Sequence, residues 1–539
     1  MKDISSTGSF IDFTLENFIY VDKTEYIPKI VKLKRVFISR PRRFGKSLTL
    51  DTIATLFETG VEPYFKGTWI YDKWTEPTYP VLRLNFLNLD NFSIDDFKNK
   101  LNSYITEFAN KIGVKEYAEK KEPEDSIDSM LEKLREEKRQ IVILIDEYDY
   151  QLASNINNEE LYKQFQKELQ NIYNNLKDKW AIKFLLITGV TKTKNSSVFS
   201  GTDINDITNY SPYSQMIGFT RDEIKKYYID YLKLAASYEN NCAVDEITDD
   251  KLESMFDKLE EQYGGYCFDE DYEKKVFNTW SVNDFFQSVV SNKFVYFGEY
   301  WYDNGGLPSI LVNYLKTHEL NIFEYLDKDK FLKVSSDDFK NPTALTTINQ
   351  NVLMCQTGYL TLRSDLNKTS TVALGIPNGE IYKALNRLLA NNIFKGNTDI
   401  TDDYGRSLLE VGTVDDIINL FNSALNSVSY DNYPIVSESS VQNMLKLYLL
   451  GAHQKVLSEV HEAKGRADLV VNTDNRRIVF EFKYAKNETE AKSKLLDAVE
   501  QIKTRDYGNI VPKKTELLRI ATVFNADPKV RAFTEFQLV

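Results

Sequence analysis

Sulfur and imidazole are scarce in this chain, which has three cysteines and three histidines in 539 residues. Cys242, Cys267 and Cys355 lie too far apart for a C-x-x-C metal site or a disulfide framework. A histidine-rich metal centre is excluded as well, and His453 and His461 read as surface or supporting residues. No apolar run reaches the length of a membrane span, and Met1-Lys2-Asp3-Ile4 begins no signal peptide. A cytoplasmic protein with no membrane partner is therefore expected. Internal repeats and low-complexity linkers are absent. The formal charge of −13 argues against a broad basic surface that coats nucleic acid, although Lys32 to Arg43 and Lys483 to Lys494 form local basic patches. The length leaves room for roughly three or four domains, each with its own core.

Chemistry concentrates at the two ends. Near the start, the apolar strand Val36-Phe37-Ile38-Ser39 leads into Arg40-Pro41-Arg42-Arg43-Phe44-Gly45-Lys46-Ser47 and then a helix through Leu48, Ile53, Leu56 and Phe57. Strand, loop and helix N-terminus together make a phosphate cradle. Gly45 lets the backbone approach, Lys46 reaches the terminal phosphates, Ser47 ligates magnesium, and the helix end favours negative charge. Arg40 stands where the usual G-x-x-x-x-G-K-S loop has its first glycine, so a different loop path is expected, with Arg42 or Arg43 free to add phosphate or nucleic-acid contacts.

A hundred residues on, Ile141-Val142-Ile143-Leu144-Ile145 has the unbroken apolar character of a parallel strand covered on both faces and ends in Asp146-Glu147. Asp146 would hold magnesium through water and Glu147 would polarise the attacking water. Further strands are read at 81–86 and 183–188, with a helix between 161 and 176 whose buried stripe is Leu161, Phe165, Leu169, Ile172 and Leu176. Thr188, at a strand tip, can sense the terminal phosphate. The nucleotide set is therefore Arg43, Phe44, Gly45, Lys46, Ser47, Leu48, Asp146 and Thr188, with Glu147 catalytic and ATP with Mg2+ as ligands.

At the other end, Ala467-Asp468-Leu469-Val470-Val471 and Ile478-Val479-Phe480-Glu481-Phe482-Lys483 read as a hairpin turning at Thr473 to Arg476. Alternation puts Glu481 and Lys483 on one face and Phe480 and Phe482 on the other. Two carboxylates can hold a hard divalent cation that supplies hydroxide near neutral pH and offsets phosphodiester charge. A lone E-x-K is weak, and its plain alternative is the solvated face of a hairpin. This pattern resembles the PD-(D/E)xK nuclease superfamily. The resemblance implies a metal set of Asp468, Glu481 and the helical Glu438, a site lysine at Lys483, and Gln501 in the following helix orienting the lysine or a phosphate. Glu459, just before the Asp468 strand, fits the same order. Mg2+ is expected there, with Mn2+ as a substitute.

The whole chain resembles the AAA-ATPase-like family, in which an ATPase region is joined to a C-terminal PD-(D/E)xK nuclease. The residues that carry this are Tyr20 to Thr24, Arg40 to Ser47, Asp146 to Asp149, Thr188 to Lys192, Phe199-Ser200-Gly201, Gly264 to Phe268, Asn278 to Ser281, Gln356 to Leu360 and Pro377-Asn378. The fold expected is α/β and multidomain. A P-loop NTPase core with a parallel sheet spans 1–215, and a helical lid 216–344 opens at the capping box Thr220 to Glu223. A winged-helix-like connector at 345–430 and an α/β restriction-endonuclease-like domain at 431–539 follow, the polar run Asn422 to Pro434 marking the boundary. The function expected is an ATP-regulated, metal-dependent nuclease acting on DNA, with a homo-oligomer compatible. The alternatives are a nucleotide-controlled switch whose nuclease-like domain binds without cutting, and an ATPase that remodels nucleic-acid complexes.

Overall fold

A computed structural model describes residues 1–177, 179–193, 204–302, 309–318, 322–394, 403–452, 455–462, 465–505, 507 and 515–539. Phe199-Ser200-Gly201 and His453 lie outside the described residues. The chain forms two compact units, Met1–His318 with Phe331–Ile381, and Glu319–Lys330 with Tyr382–Val539.

The first unit is built on the strands β1 (Arg35–Ser39), β2 (Val81–Asn85), β3 (Ile141–Asp146), β4 (Ile182–Gly189) and the short β5 (Asn205–Asp206). They run parallel in the order β2-β3-β4-β1-β5. Every residue of β1 and β3 is buried, as their unbroken apolar sequences require of strands covered on both faces. Helices supply that cover. In Glu159–Asn175, Asn158 caps the first turn and Tyr162, Phe165, Leu169, Ile172 and Tyr173 form the buried stripe. Leu161, expected in that stripe, is only half-buried, because Tyr162 takes the inward position.

The middle is helical. Helices Arg221–Tyr227, Ile229–Asn240, Asp249–Tyr263 and Thr279–Asn292 close around Tyr228, Leu232, Phe256, Phe285 and Phe286, with the Thr220–Glu223 capping box formed as expected. A small antiparallel sheet of β6 (Leu332–Ser335), β7 (Thr361–Leu362) and β8 (Thr371–Gly375) follows in the order β6-β8-β7, so it draws in a strand upstream of residue 345.

The second unit holds a mixed sheet of β9 (Lys455–Glu462), β10 (Gly465–Asn472), β11 (Arg476–Ala485), β12 (Glu516–Asn525) and β13 (Ala532–Leu538), ordered β13-β12-β11-β10-β9. β10 and β11 are antiparallel and turn where Thr473 N donates to Arg476 O, whereas β11 and β12 are parallel and joined through helix Glu488–Arg505. Asn422 does not lie in a linker. It sits in the last turn of helix Val414–Asn426, and its amide bonds both Phe533 N (2.7 Å) and Phe533 O (3.1 Å). No described helix is long and apolar enough to cross a membrane.

Candidate active sites

The loop after β1 reaches helix Lys46–Thr59 through Gly45, whose φ of +101° suits only glycine well. Lys46 is buried at 4% exposure and donates to Arg40 O (3.0 Å) and Pro41 O (3.1 Å). Ser47 Oγ donates to Asp146 Oδ2 at 2.6 Å, and Thr188 Oγ1 donates to Asp146 Oδ1 at 2.5 Å. Three separate segments of sequence thus meet at one carboxylate. Glu147 follows with φ +52°, a left-handed conformation that is uncommon for glutamate. Burial raises its pKa, Lys46 opposes the shift, and Asp149 and Asp146 add to it. Lys46, Ser47 and Glu147, though not Asp146 or Thr188, line a cavity of about 500 Å³ whose walls also include Arg42, Tyr20 and Trp280. Leu48 lines it too.

The three loop arginines part company. Arg40 is 1% exposed and turns inward, bonding Thr208 O (2.6 Å) and Ser39 O (2.9 Å) beneath the ring of Phe268, and burial pulls its pKa down to about 9. It shapes the loop. Arg43 lies over the Trp280 ring at 3.9 Å, while Phe44 packs edge-on against Tyr266 and Phe268. The expected Lys32 to Arg43 basic patch therefore loses two members to the interior, Arg35 and Arg40, which bond the backbone carbonyls of Lys179 and Thr208. Trp280 and Tyr20 as cavity walls carried no signal that a single sequence could expose beyond the family resemblance.

In the second unit, the antiparallel pair Leu469–Phe480 puts Asp468 level with Glu481 on the neighbouring strand. Phe480 and Phe482 stack on each other and lie against Phe421 and Phe533. Glu481, on the opposite face, is 0% exposed, so this is no solvated hairpin face. Its Oε1 accepts from Lys483 Nζ at 2.8 Å, and its Oε2 is buried without a hydrogen-bond partner. Burial, then the charge of Asp468, push its pKa up to about 7. Lys483 also lies 3.6 Å from Glu438 Oε1, and Asp468 Oδ2 accepts from Phe482 N at 2.8 Å. Burial disfavours the Lys483 ammonium, but the bond to Glu481 and the nearby acids outweigh it and hold the pKa above the ordinary lysine value. Lys483 is thus a proton donor in this state.

The orphaned, buried Glu481 oxygen is of the kind a hard divalent cation takes up, but the carboxylates of Asp468, Glu481 and Glu438 do not close to within 4.8 Å of one another, and Glu438 approaches through Lys483. Gln501 does not bond Lys483. It reaches the hydroxyl of fully buried Tyr507 at 3.4 Å, which Arg505 also contacts at 2.9 Å, a pair that the sequence reading missed. The side chain of Glu459 lies outside the described residues. Three of the four lysines from Lys483 to Lys494, Lys483, Lys492 and Lys494, pair with Glu481, Glu488 and Glu490.

Comparison with known proteins agrees with this division. The family of predicted AAA-ATPases matches residues 5–199, and the PD-(D/E)XK nuclease superfamily matches residues 436–533. An uncharacterized protein in the vnfD 5′ region of Azotobacter chroococcum mcd 1 is 25% identical over 528 residues, covering 95% of this chain and 94% of its own. The crystal structure of Cdc6p from Pyrobaculum aerophilum is 11% identical and aligns over 68% of this chain and 93% of that chain, with a TM-score of 0.23. The chain joins a predicted AAA-ATPase-like region at 5–199 to a C-terminal PD-(D/E)XK nuclease superfamily region at 436–533.

Proposed function

We propose that this protein is an ATP-regulated, metal-dependent nuclease of the cytoplasm that cuts DNA. The observation that carries the reading is Glu481, sealed from water with one oxygen unpartnered and with Asp468, Glu438 and Lys483 around it. A structural carboxylate has little reason to bear that desolvation. Asp468, Glu481 and Glu438 would hold Mg2+, with Mn2+ as a substitute. A divalent cation bound there supplies hydroxide near neutral pH and offsets charge on the phosphate. Lys483 orients the attacking water, and Gln501 with Arg505, both bonded to the buried Tyr507 hydroxyl, would contact a phosphate.

At the other site, Lys46 exchanges its loop carbonyls for the phosphates of ATP, and Ser47 with Asp146 is the pair suited to Mg2+. Glu147 takes the proton of the attacking water, and Thr188 ties the sheet to Asp146 so that nucleotide state reaches β4. ATP binding and hydrolysis then set the rate of cutting. The test is cleavage of plasmid, single-stranded DNA and RNA with Mg2+ or Mn2+, comparing wild type with Asp468→Ala. Cutting that disappears in Asp468→Ala supports the site, and undiminished cutting sinks it.

A further inference from the structure

Of the three arginines in the phosphate loop, two are committed and one is not. Arg40 is locked to buried carbonyls, and Arg43 lies on Trp280. Arg42 is half-buried and lines the cavity together with Lys46, Ser47 and Glu147. Among the described residues, nothing accepts a hydrogen bond or ion pair from its guanidinium. A half-enclosed cation without a partner is costly, and an anionic ligand in the same cavity removes that cost.

The backbone that presents Arg42 is held firmly. Its carbonyl accepts from Trp301 Nε1 at 3.2 Å, and Arg43 O accepts from Thr279 Oγ1 at 2.9 Å. Pro41 before it packs on Gly358, where an added Cβ would meet the proline ring at 2.9 Å. Its charge also lowers the pKa of Glu147 against the effect of burial, and it destabilises the neighbouring Arg43 guanidinium, so it stands close to both.

We propose that Arg42 is the positive charge that stabilises the transferring phosphoryl group, supplied in cis by the phosphate loop itself. The inference rests on the ATPase reading above. In the step, the oxygen of water bonds the γ-phosphorus as the bond to the β–γ bridging oxygen breaks. The bridging electron pair leaves on ADP, the water proton passes to the Glu147 carboxylate, and ADP and inorganic phosphate result. Negative charge spreads over the γ-oxygens and the bridging oxygen, where a planar guanidinium with paired donors serves best.

The test compares the full-length wild type with Arg42→Ala, Arg42→Lys and Lys46→Ala for ATP turnover and for binding of a fluorescent ATP analogue. Arg42→Ala is expected to lose about a thousandfold in kcat while analogue affinity falls less than about tenfold, and Arg42→Lys to recover only part of the rate. Wild-type specific activity is expected to stay constant over about a hundredfold dilution, as a group acting in cis requires. Turnover by Arg42→Ala within about threefold of wild type overturns the assignment. So does activity regained on mixing Arg42→Ala with Lys46→Ala, which places the arginine across two copies. A wild type that binds the analogue without hydrolysing ATP overturns the ATPase reading and the inference with it.

Discussion

At the scale of single residues, Glu481 decides what the second site can do. Its pKa, lifted to about 7 by burial and by Asp468, makes protons compete with a divalent cation. Mg2+ affinity should therefore rise as pH climbs through about 7, and calorimetric titration should show that Glu481→Gln both weakens binding and flattens the pH dependence. A wild-type affinity that is flat from acid to alkaline pH would contradict this. The linkage to stability has the opposite sense. The folded pKa exceeds the unfolded one, so the metal-free fold binds the extra proton, and this group's contribution to stability is lost as pH rises from the ordinary glutamate range through about 7. The pairing of Glu481 with Lys483 was legible in the sequence, because alternation along a strand is a local rule. The burial of Glu481 was not, because β12, whose Ala521 pairs with it, and helix Glu488–Arg505, which packs on the neighbouring Val479, come from later in the chain.

Elements show the same contrast. β1, β3 and the phosphate-loop helix could be read directly, since unbroken apolar runs and a G-K-S turn leave little choice. Helix Val414–Asn426 was hidden at its end, where polar Asn422 to Asn426 resemble a linker. Asn422 is polar because β13 breaks register there. The ladder passes from Val523–Glu535 to Phe524–Phe533, and the Asn422 amide satisfies the Phe533 backbone at the irregularity. Asn422→Ala should destabilise the second unit by about 1–3 kcal/mol, measured by denaturant unfolding, since two buried backbone groups lose their partner. The tip of β4 is equally constrained. A Cβ on Gly189 would meet Tyr148 at 2.5 Å and Asp149 at 2.6 Å, and Asp149 itself accepts from Thr191 N and Oγ1. Gly189→Ala should cost about 1–3 kcal/mol and displace the neighbouring Thr188 from Asp146, lowering ATP turnover more than thermal stability alone explains. Unchanged turnover would show that the strand tip is not coupled to the phosphate site.

On the scale of the whole molecule, charge and chemistry are kept apart. The formal charge of −13 argues against a broad basic surface, and part of each apparent basic patch is taken up, Arg35 and Arg40 by backbone carbonyls and Lys483, Lys492 and Lys494 by local ion pairs. On the proposed reading, nucleic-acid binding would rely on the site itself and should weaken with salt less steeply than in a protein that wraps the duplex. Each unit holds one candidate site, with the phosphate loop and Asp146 in the first and the Glu481 cluster in the second. An enzyme so divided makes sense if one reaction governs the other. The measurement that tests this most directly is the rate of plasmid cleavage with Mg2+, with and without ATP, for wild type, Asp468→Ala and Lys46→Ala. The account predicts metal-dependent cutting that vanishes in Asp468→Ala and that loses its response to ATP in Lys46→Ala. Intact ATP hydrolysis with no cutting under any condition, or a response to ATP that survives Lys46→Ala, would contradict it.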